Sequence, residues 1–143
     1  MEQHHFVRTC AYFTAARYMR SVEMAADRIF APTGMKPAYS YIMMTLQDSH
    51  PMTIRALCEA LGYERSTLSR MVHMLAGQQL VTLSTRGRAV LIELGPLSEA
   101  FLVKANECLA AFASFTDLAL GEDKPRVAAV LNSANQRLRE HAE

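Results

Sequence analysis

The feature that most constrains the fold of this chain is the stretch Glu64–Leu83, ERSTLSRMVHMLAGQQLVTL. Its apolar residues are spaced by three, one and three, which places them on one face of an α-helix: Leu68, Met71, Val72 and Leu75. The opposite face is polar and basic, and no acid follows Glu64: it carries Arg65, Ser66, Thr67, Ser69, Arg70 and His73. Arginine, serine and threonine can contact both phosphate oxygens and base edges. The stretch therefore predicts an amphipathic helix whose outer face suits a nucleic acid, with an ordinary solvated helix face as the alternative.

A second helix is predicted immediately before this one. Thr53 suits the N-cap of a helix over Ile54–Leu61, and Gly62 suits the left-handed residue that ends it. The next helix begins two residues later. A helix, a short turn with glycine and another helix form the pattern of a helix-turn-helix.

A β-hairpin is predicted directly after the helix-turn-helix. Leu80–Thr85 and Ala89–Leu94 read as strands, and Arg86-Gly87-Arg88 reads as the turn between them. A hairpin in this place is a wing. Its two arginines suit contact with the DNA backbone or the minor groove.

Long helices are predicted on both sides of this region. Residues 5–30 carry apolar residues at helical spacing with no Gly or Pro among them, which predicts one helix of about 40 Å. A further helix is predicted from about Lys36 to Asp48, another from Gly95-Pro96 to Leu120, and a last one from about Pro125 to Glu140. The broad apolar surface of the first helix indicates a partner helix.

Composition and charge limit the class of protein. A chain of 143 residues, half of them hydrophobic, fits one globular domain. No apolar run approaches the roughly 20 residues of a membrane span, and the N-terminus lacks a signal-peptide core, so we expect a cytoplasmic protein that does not bind membranes. The three cysteines form neither a disulfide framework nor a CxxC pair for zinc. Between His50 and Ile92 five arginines face two glutamates, which places the basic excess around the helix-turn-helix.

Catalysis is not expected. The sequence offers no nucleophile–base pair, no metal-ligand spacing and no glycine-rich phosphate loop. We therefore expect no catalytic residue, no metal site and no cofactor.

Several motifs resemble the MarR (multiple antibiotic resistance regulator) family, and the likeness covers nearly the whole chain. The turn after the first helix, FAPTGM over 30–35, is similar to the family's turn, and Pro37-Ala38-Tyr39 is similar to the start of its second helix. The family's helix-turn-helix pattern is matched at eight positions: Thr53, Leu57, Leu61, Gly62, Ser66, Thr67, Ser69 and Arg70.

The resemblance implies a mainly α fold, a winged helix-turn-helix with flanking N- and C-terminal dimerisation helices. It implies a single MarR-like domain over 1–143, with dimerisation helices at 5–35 and 96–141 and a DNA-binding lobe at 36–95. Such a homodimer binds a pseudo-palindromic operator in double-stranded DNA, as a repressor released by a small ligand or by oxidation. The residues expected to contact DNA are Arg65, Ser66, Thr67, Ser69, Arg70, His73, Arg86 and Arg88.

The chain departs from the family pattern in its wing. The hairpin is shorter than usual, and Arg86 stands where the family has an aspartate, although Arg88 matches the family's wing arginine. Glu64 replaces the usual small residue at the start of the recognition helix. These departures leave open an alternative function, a winged-helix dimeric interaction module without DNA binding.

The resemblance implies one of two kinds of effector. A small, often phenolic or carboxylate molecule is one, with Tyr12, Arg17, Tyr18 and Tyr39 as candidate contacts, unless these residues simply pack the core. An oxidant is the other. Members that sense organic hydroperoxides carry a reactive cysteine near the place of Cys10, which is otherwise an inert cysteine on an apolar stripe. Cys108 is a candidate partner for an oxidised Cys10.

Overall fold

A computed structural model of the chain describes residues 4–142. It contains two compact units, which meet in the sequence between Cys108 and Leu109. In chain order the elements are α1 Phe6–Thr9, α2 Ala11–Ile29, a 3₁₀ turn Ala31–Thr33, α3 Pro37–Ser49, β1 Met52–Thr53, α4 Ile54–Leu61, α5 Arg65–Gly77, β2 Val81–Arg86, β3 Ala89–Leu94, α6 Ser98–Leu120 and α7 Asp123–His141.

The helix-turn-helix prediction is confirmed. The Thr53 hydroxyl accepts a hydrogen bond from the Ala56 amide at 3.0 Å and so caps α4. Gly62 adopts a left-handed conformation with φ of 79°, which ends α4. Glu64 is the N-cap of α5, but its side chain makes no capping hydrogen bond.

The predicted hairpin is confirmed, and a third strand joins it. β2 and β3 pair antiparallel, with Arg86 opposite Ala89. Only Gly87 and Arg88 remain between them, and Gly87 has φ of 64°, as the first position of a type II′ turn requires. The short strand β1 pairs with β3, Met52 opposite Ile92, and gives the sheet order β1-β3-β2. The sheet therefore ties the start of α4 to the wing.

The hydrophobic core is formed mainly by α3, α4, α5 and β3. Its largest fully buried apolar side chains come from these elements, together with Phe30: Ile42, Met43, Leu46, Leu57, Leu68, Val72, Leu75 and Ile92. Burial of one such side chain contributes about 1.5–3 kcal/mol. The helix-turn-helix and wing therefore share one core and hold each other in place.

A close backbone approach joins the wing to α6. The Gly95 amide donates to the Leu80 carbonyl at 2.9 Å, and the Leu97 amide donates to the Gln79 carbonyl at 3.0 Å. A Cβ on Gly95 would collide with the Gln79 carbonyl oxygen and lie 2.8 Å from the Leu80 carbonyl carbon. Only glycine fits this approach without a backbone shift.

The prediction of one uninterrupted helix over residues 5–30 is wrong. Cys10 is extended, with φ of −85° and ψ of 121°, and separates α1 from α2. Its Sγ accepts a hydrogen bond from the Phe13 amide at 3.5 Å, and the Phe6 ring packs edge-on against the Phe13 ring at 4.8 Å. The side-chain cap and the aromatic contact together stabilise the break between α1 and α2, although the sequence has no Gly or Pro there.

The terminal helices bury little. α1, α2 and α7 contain no buried residue, and the buried residues of α6 end at Cys108. Within the unit that begins at Leu109, Lys124 donates to the Ala113 carbonyl at 3.1 Å and to the Asp117 carboxylate at 2.7 Å, joining the start of α7 to α6. Across the described residues, no helix combines the length and apolar character that crossing a membrane requires.

The fold class predicted from the sequence, a mainly α winged helix-turn-helix, is confirmed. The boundaries of α4 and β3 agree with the prediction residue for residue. The helices that flank the winged-helix lobe, residues 36–95, are present as well.

Candidate nucleic-acid interface

The outer face of α5 is mainly polar and cationic because four of its large apolar residues are turned inward, and only Met74, 49% exposed, departs from this pattern. Leu68, Met71, Val72 and Leu75 are buried. On the other side Arg65, Ser66, Arg70 and His73 are exposed, whereas Thr67 and Ser69 are half-buried. The periodicity of the sequence therefore predicted which side chains of this helix face solvent.

His73 is held in a defined orientation on this face. Its Nδ1 lies 2.7 Å from the Ser69 carbonyl oxygen. Because a carbonyl can only accept, Nδ1 carries the hydrogen and Nε2 of the neutral ring is left as an acceptor. A neutral His73 can accept from an exocyclic amino group of a base, and a protonated one can donate to a phosphate.

Three arginines from three elements line one depression of about 270 Å³. They are Arg55 of α4, Arg65 at the start of α5 and Arg88 in the wing turn. Thr53, Ile54, Ala89 and Val90 complete its lining. We call this depression, with its three arginines, the arginine cleft.

The arginine cleft carries little compensating negative charge. Arg55 lies 3.3 Å from Glu59, but both side chains are well exposed, so this pair is weak. Within residues 4–142, no carboxylate lies within ion-pairing distance of Arg65 or Arg88. The cleft is therefore suited to an anion.

Sequence reasoning missed Arg55 as a site residue. It was recognised only as part of the basic excess. Its place in the cleft depends on the pairing of Thr53 with Leu91, which brings the first turn of α4 beside the wing. A strand of two residues is too short to show a periodic pattern in the sequence. The position of α4 beside the wing therefore could not be predicted from local sequence.

The remaining predicted DNA-contacting residues are placed separately from the cleft. Ser66, Thr67, Ser69, Arg70 and His73 continue along α5 and do not line the depression. Arg86 is exposed at the end of β2. The structure thus joins Arg65 and Arg88, but not Arg86, around one point.

The four residues predicted to bind a small ligand do not form a described depression together. Tyr12 is 84% exposed, while Tyr18 and Tyr39 are half-buried. The Arg17 guanidinium lies 5.5 Å from the centre of the Phe13 ring, in a cation–π contact within α2. A second depression of about 360 Å³ is lined instead by Asp27, Ala31, Gly34, Met35 and Lys36.

The three cysteines lie in different environments. Cys10 is half-buried at the N-cap of α2, and Cys58 is half-buried on α4. Cys108 is buried on α6, where burial raises the pKa of its thiol, with Lys104 lowering and Glu107 raising it to a lesser extent. A raised pKa disfavours the thiolate, so Cys108 is poorly suited to attack an oxidised Cys10. Among residues 4–142, no group of three His, Cys, Asp or Glu residues could hold a metal ion.

Comparison with known proteins places this interface in a family. A model of the MarR family matches residues 33–89, which run from the turn after α2 to the first residue of β3. The Mycobacterium tuberculosis transcriptional regulator MosR, solved in complex with DNA, is 26% identical; the match covers 92% of this chain and 97% of MosR, with a TM-score of 0.82. Over residues 33–89 the chain is therefore similar to the MarR family.

Other transcriptional regulators share the fold at lower identity. The transcriptional regulator PcaV from Streptomyces coelicolor, solved with its natural ligand, is 19% identical, with full coverage of both chains and a TM-score of 0.80. The transcriptional repressor CouR, bound to a 23-mer DNA duplex, is 18% identical, covering 95% of this chain and 99% of CouR, with a TM-score of 0.77. A comparison with curated proteins finds no match.

Proposed function

We propose that this protein is a dimeric, sequence-specific DNA-binding transcriptional regulator of the MarR family, a repressor released by a small ligand or by oxidation. The observation that carries the proposal is the exposed cationic face of α5, flanked by arginines of α4 and the wing. MosR and CouR, which share the fold, are solved with DNA. The similar structures are described as regulators, and we propose no catalytic activity. We place the protein in the cytoplasm, with the DNA it would bind.

We propose that residues 1–143 form a single MarR-like domain whose parts have different roles. Residues 36–95 form the DNA-binding lobe, and 5–35 and 96–141 form the dimerisation helices. Exposed apolar side chains support this map: among described residues, every large exposed hydrophobic except Tyr41 and Met74 lies outside 36–95. Extended apolar surfaces of this kind mark protein–protein contacts.

Each protomer contributes one recognition helix in this proposal. A two-fold dimer presents the two α5 helices to successive major grooves about 34–36 Å apart. Arg70 with Ser66 or Thr67 is assigned to bases or phosphates, and Ser69 and Arg65 to phosphate. His73 adds a base or phosphate contact, and Arg86 and Arg88 flank the site from the wings.

Fluorescence anisotropy on the DNA upstream of the protein's own gene tests the proposal. If a dimer neutralises six to eight phosphates, log affinity falls with log salt at a slope of roughly −5 to −7. Tight, salt-sensitive binding to this DNA over a scrambled duplex supports the regulator. Binding that is absent, or that does not change with salt, contradicts the proposal. It would favour the second candidate function, a winged-helix dimeric interaction module without DNA binding, which the short wing supports.

Arg70→Ala sharpens this test. Arg70 is exposed, so its loss should abolish specific binding while the free energy of unfolding stays within about 0.5 kcal/mol of the parent value. Arg126→Ala on α7 is the matched control and should leave DNA binding unchanged. A large loss of stability in Arg70→Ala would make Arg70 structural instead.

The effector is proposed as one of two kinds. PcaV is solved with its natural ligand, which supports a small molecule as the effector. The contacts that we propose for it are Tyr12, Arg17, Tyr18 and Tyr39. Cys10, half-buried at the N-cap of α2, supports an oxidant, because thiols at helix N-termini are favoured sites of oxidation to a sulfenic acid.

Cys10→Ser separates the two kinds of effector. A mild organic hydroperoxide should release DNA from the parent protein but not from Cys10→Ser, as read by anisotropy. Cys58→Ser serves as the control and should respond like the parent. Release from the Cys10→Ser protein removes Cys10 as sensor, and a parent protein that ignores peroxide directs the search to small molecules.

A further inference from the structure

The arginine cleft is formed by structural elements that are separate in the sequence. Arg55 lies in the first turn of α4, Arg65 is the first residue of α5, and Arg88 lies in the two-residue turn of the wing. The β1–β3 pairing and the shared core hold these elements together. The backbone positions that carry the three arginines are therefore fixed relative to one another.

Size and charge define what the cleft can hold. Its volume of about 270 Å³ lies below the roughly 300–1,000 Å³ of pockets for drug-sized ligands. Guanidinium groups bind phosphate oxygens in a fork, and several arginines around one point suit a compact oxyanion. Among residues 4–142, the ion pairs place only the exposed Glu59 beside the cleft as a counter-charge, on Arg55.

We infer that the arginine cleft of each protomer holds one phosphodiester group of the DNA backbone, with Arg55, Arg65 and Arg88 sharing that group. The inference rests on the proposed DNA-binding function. Arg65 begins the helix assigned to the major groove, so a phosphate in the cleft fixes the N-terminal end of α5 relative to the bases that it reads.

This assignment changes the role of the wing. Here the turn consists of Gly87 and Arg88 alone, and Arg88 lines the cleft beside α4 and α5. The short wing therefore supplies the third arginine around the phosphate. We call the arrangement of Arg55, Arg65 and Arg88 around one phosphate the clamp.

A salt series of anisotropy titrations with the full-length protein tests the clamp. Arg55→Gln, Arg65→Gln and Arg88→Gln should each weaken binding, and each should flatten the slope of log affinity against log salt by up to about 1.8 for a dimer with two clefts. Because the three arginines share one phosphate, Arg55→Gln combined with Arg88→Gln should weaken binding by less than the product of the two single effects. Arg55→Lys keeps the charge and should retain the parent slope.

Two controls keep the result specific. Arg126→Gln removes an exposed arginine of α7 and should change neither affinity nor slope. All variants should unfold with the parent's transition. The clamp is overturned if the Arg55→Gln protein keeps the parent's DNA affinity and salt slope. It is also overturned if the losses of affinity in Arg55→Gln and Arg88→Gln multiply in the double variant, as they would at independent sites.

The test also separates the clamp from the proposed function and from a free anion. If the parent protein shows no salt-sensitive DNA binding, both proposals are overturned. If the parent binds DNA and Arg55→Gln does not change that binding, the clamp alone is overturned. Inorganic phosphate replacing chloride at equal ionic strength should release no more DNA from the parent than from Arg55→Gln. Selective release from the parent would assign the cleft to a free phosphate instead.

Discussion

The winged-helix lobe and the terminal helices differ in how they bury their apolar residues. The lobe places residues of α3, α4, α5 and β3 in one fully buried core. In contrast, α2 and α7, each 19 residues long, contain no buried residue, and Leu118 of α6 is 89% exposed. Helices gain most of their stability by packing an apolar face. The lobe thus supplies its own stabilisation, while the terminal helices leave apolar side chains exposed that the proposed dimer would cover.

The largest effect should follow from a cavity in the lobe. Leu57→Ala removes a side chain with no exposure, so we expect a loss of about 2–5 kcal/mol in the free energy of unfolding. Urea denaturation followed by circular dichroism measures it. The exposed Gln78→Ala should stay within about 0.5 kcal/mol. A Leu57→Ala protein as stable as Gln78→Ala would show that the lobe does not depend on this core.

A smaller effect should follow from the close approach at Gly95. Gly95→Ala places a methyl group against the backbone of residues 79–81, which should cost about 1–3 kcal/mol. Gly77→Ala is the matched control: nothing lies within 4 Å of its added Cβ, and its φ is not positive. That control should stabilise the protein by about 0.4–1 kcal/mol by restricting the unfolded chain. Changes of the same sign in both would contradict the approach.

The effect on the terminal helices should depend on protein concentration. Leu118→Glu adds a charge to an exposed apolar position and should raise the dimer dissociation constant at least tenfold, about 1.4 kcal/mol. Sedimentation velocity across a dilution series measures the constant. Gln78→Glu adds the same charge within the lobe and should leave it unchanged. An unaltered constant in Leu118→Glu would place the dimer contact elsewhere.

The parts of the fold that were predictable carry local signals. Thr53 and Gly62 delimit α4, and Gly87 marks the hairpin turn, because capping and positive φ depend on single residue types. The exposed face of α5 followed from its periodicity. These signals are read within a few residues of chain.

The parts that were missed depend on contacts between distant residues. The break at Cys10 is stabilised by the Phe6–Phe13 contact, which a purely helical pattern of apolar residues conceals. β1 exists only through its pairing with β3, and that pairing places Arg55 in the arginine cleft. The assignments of individual residues to DNA, ligand and oxidant stay predictions for the experiments above.

The strand β1 also bears on how such a regulator is switched. Thr53 is at once a partner of Leu91 in the sheet and the cap of α4, so β1 ties the wing to the first helix of the helix-turn-helix. We therefore expect an effector of the proposed dimer to leave the shape of each winged-helix lobe unchanged. We expect it to change the distance and angle between the two lobes instead.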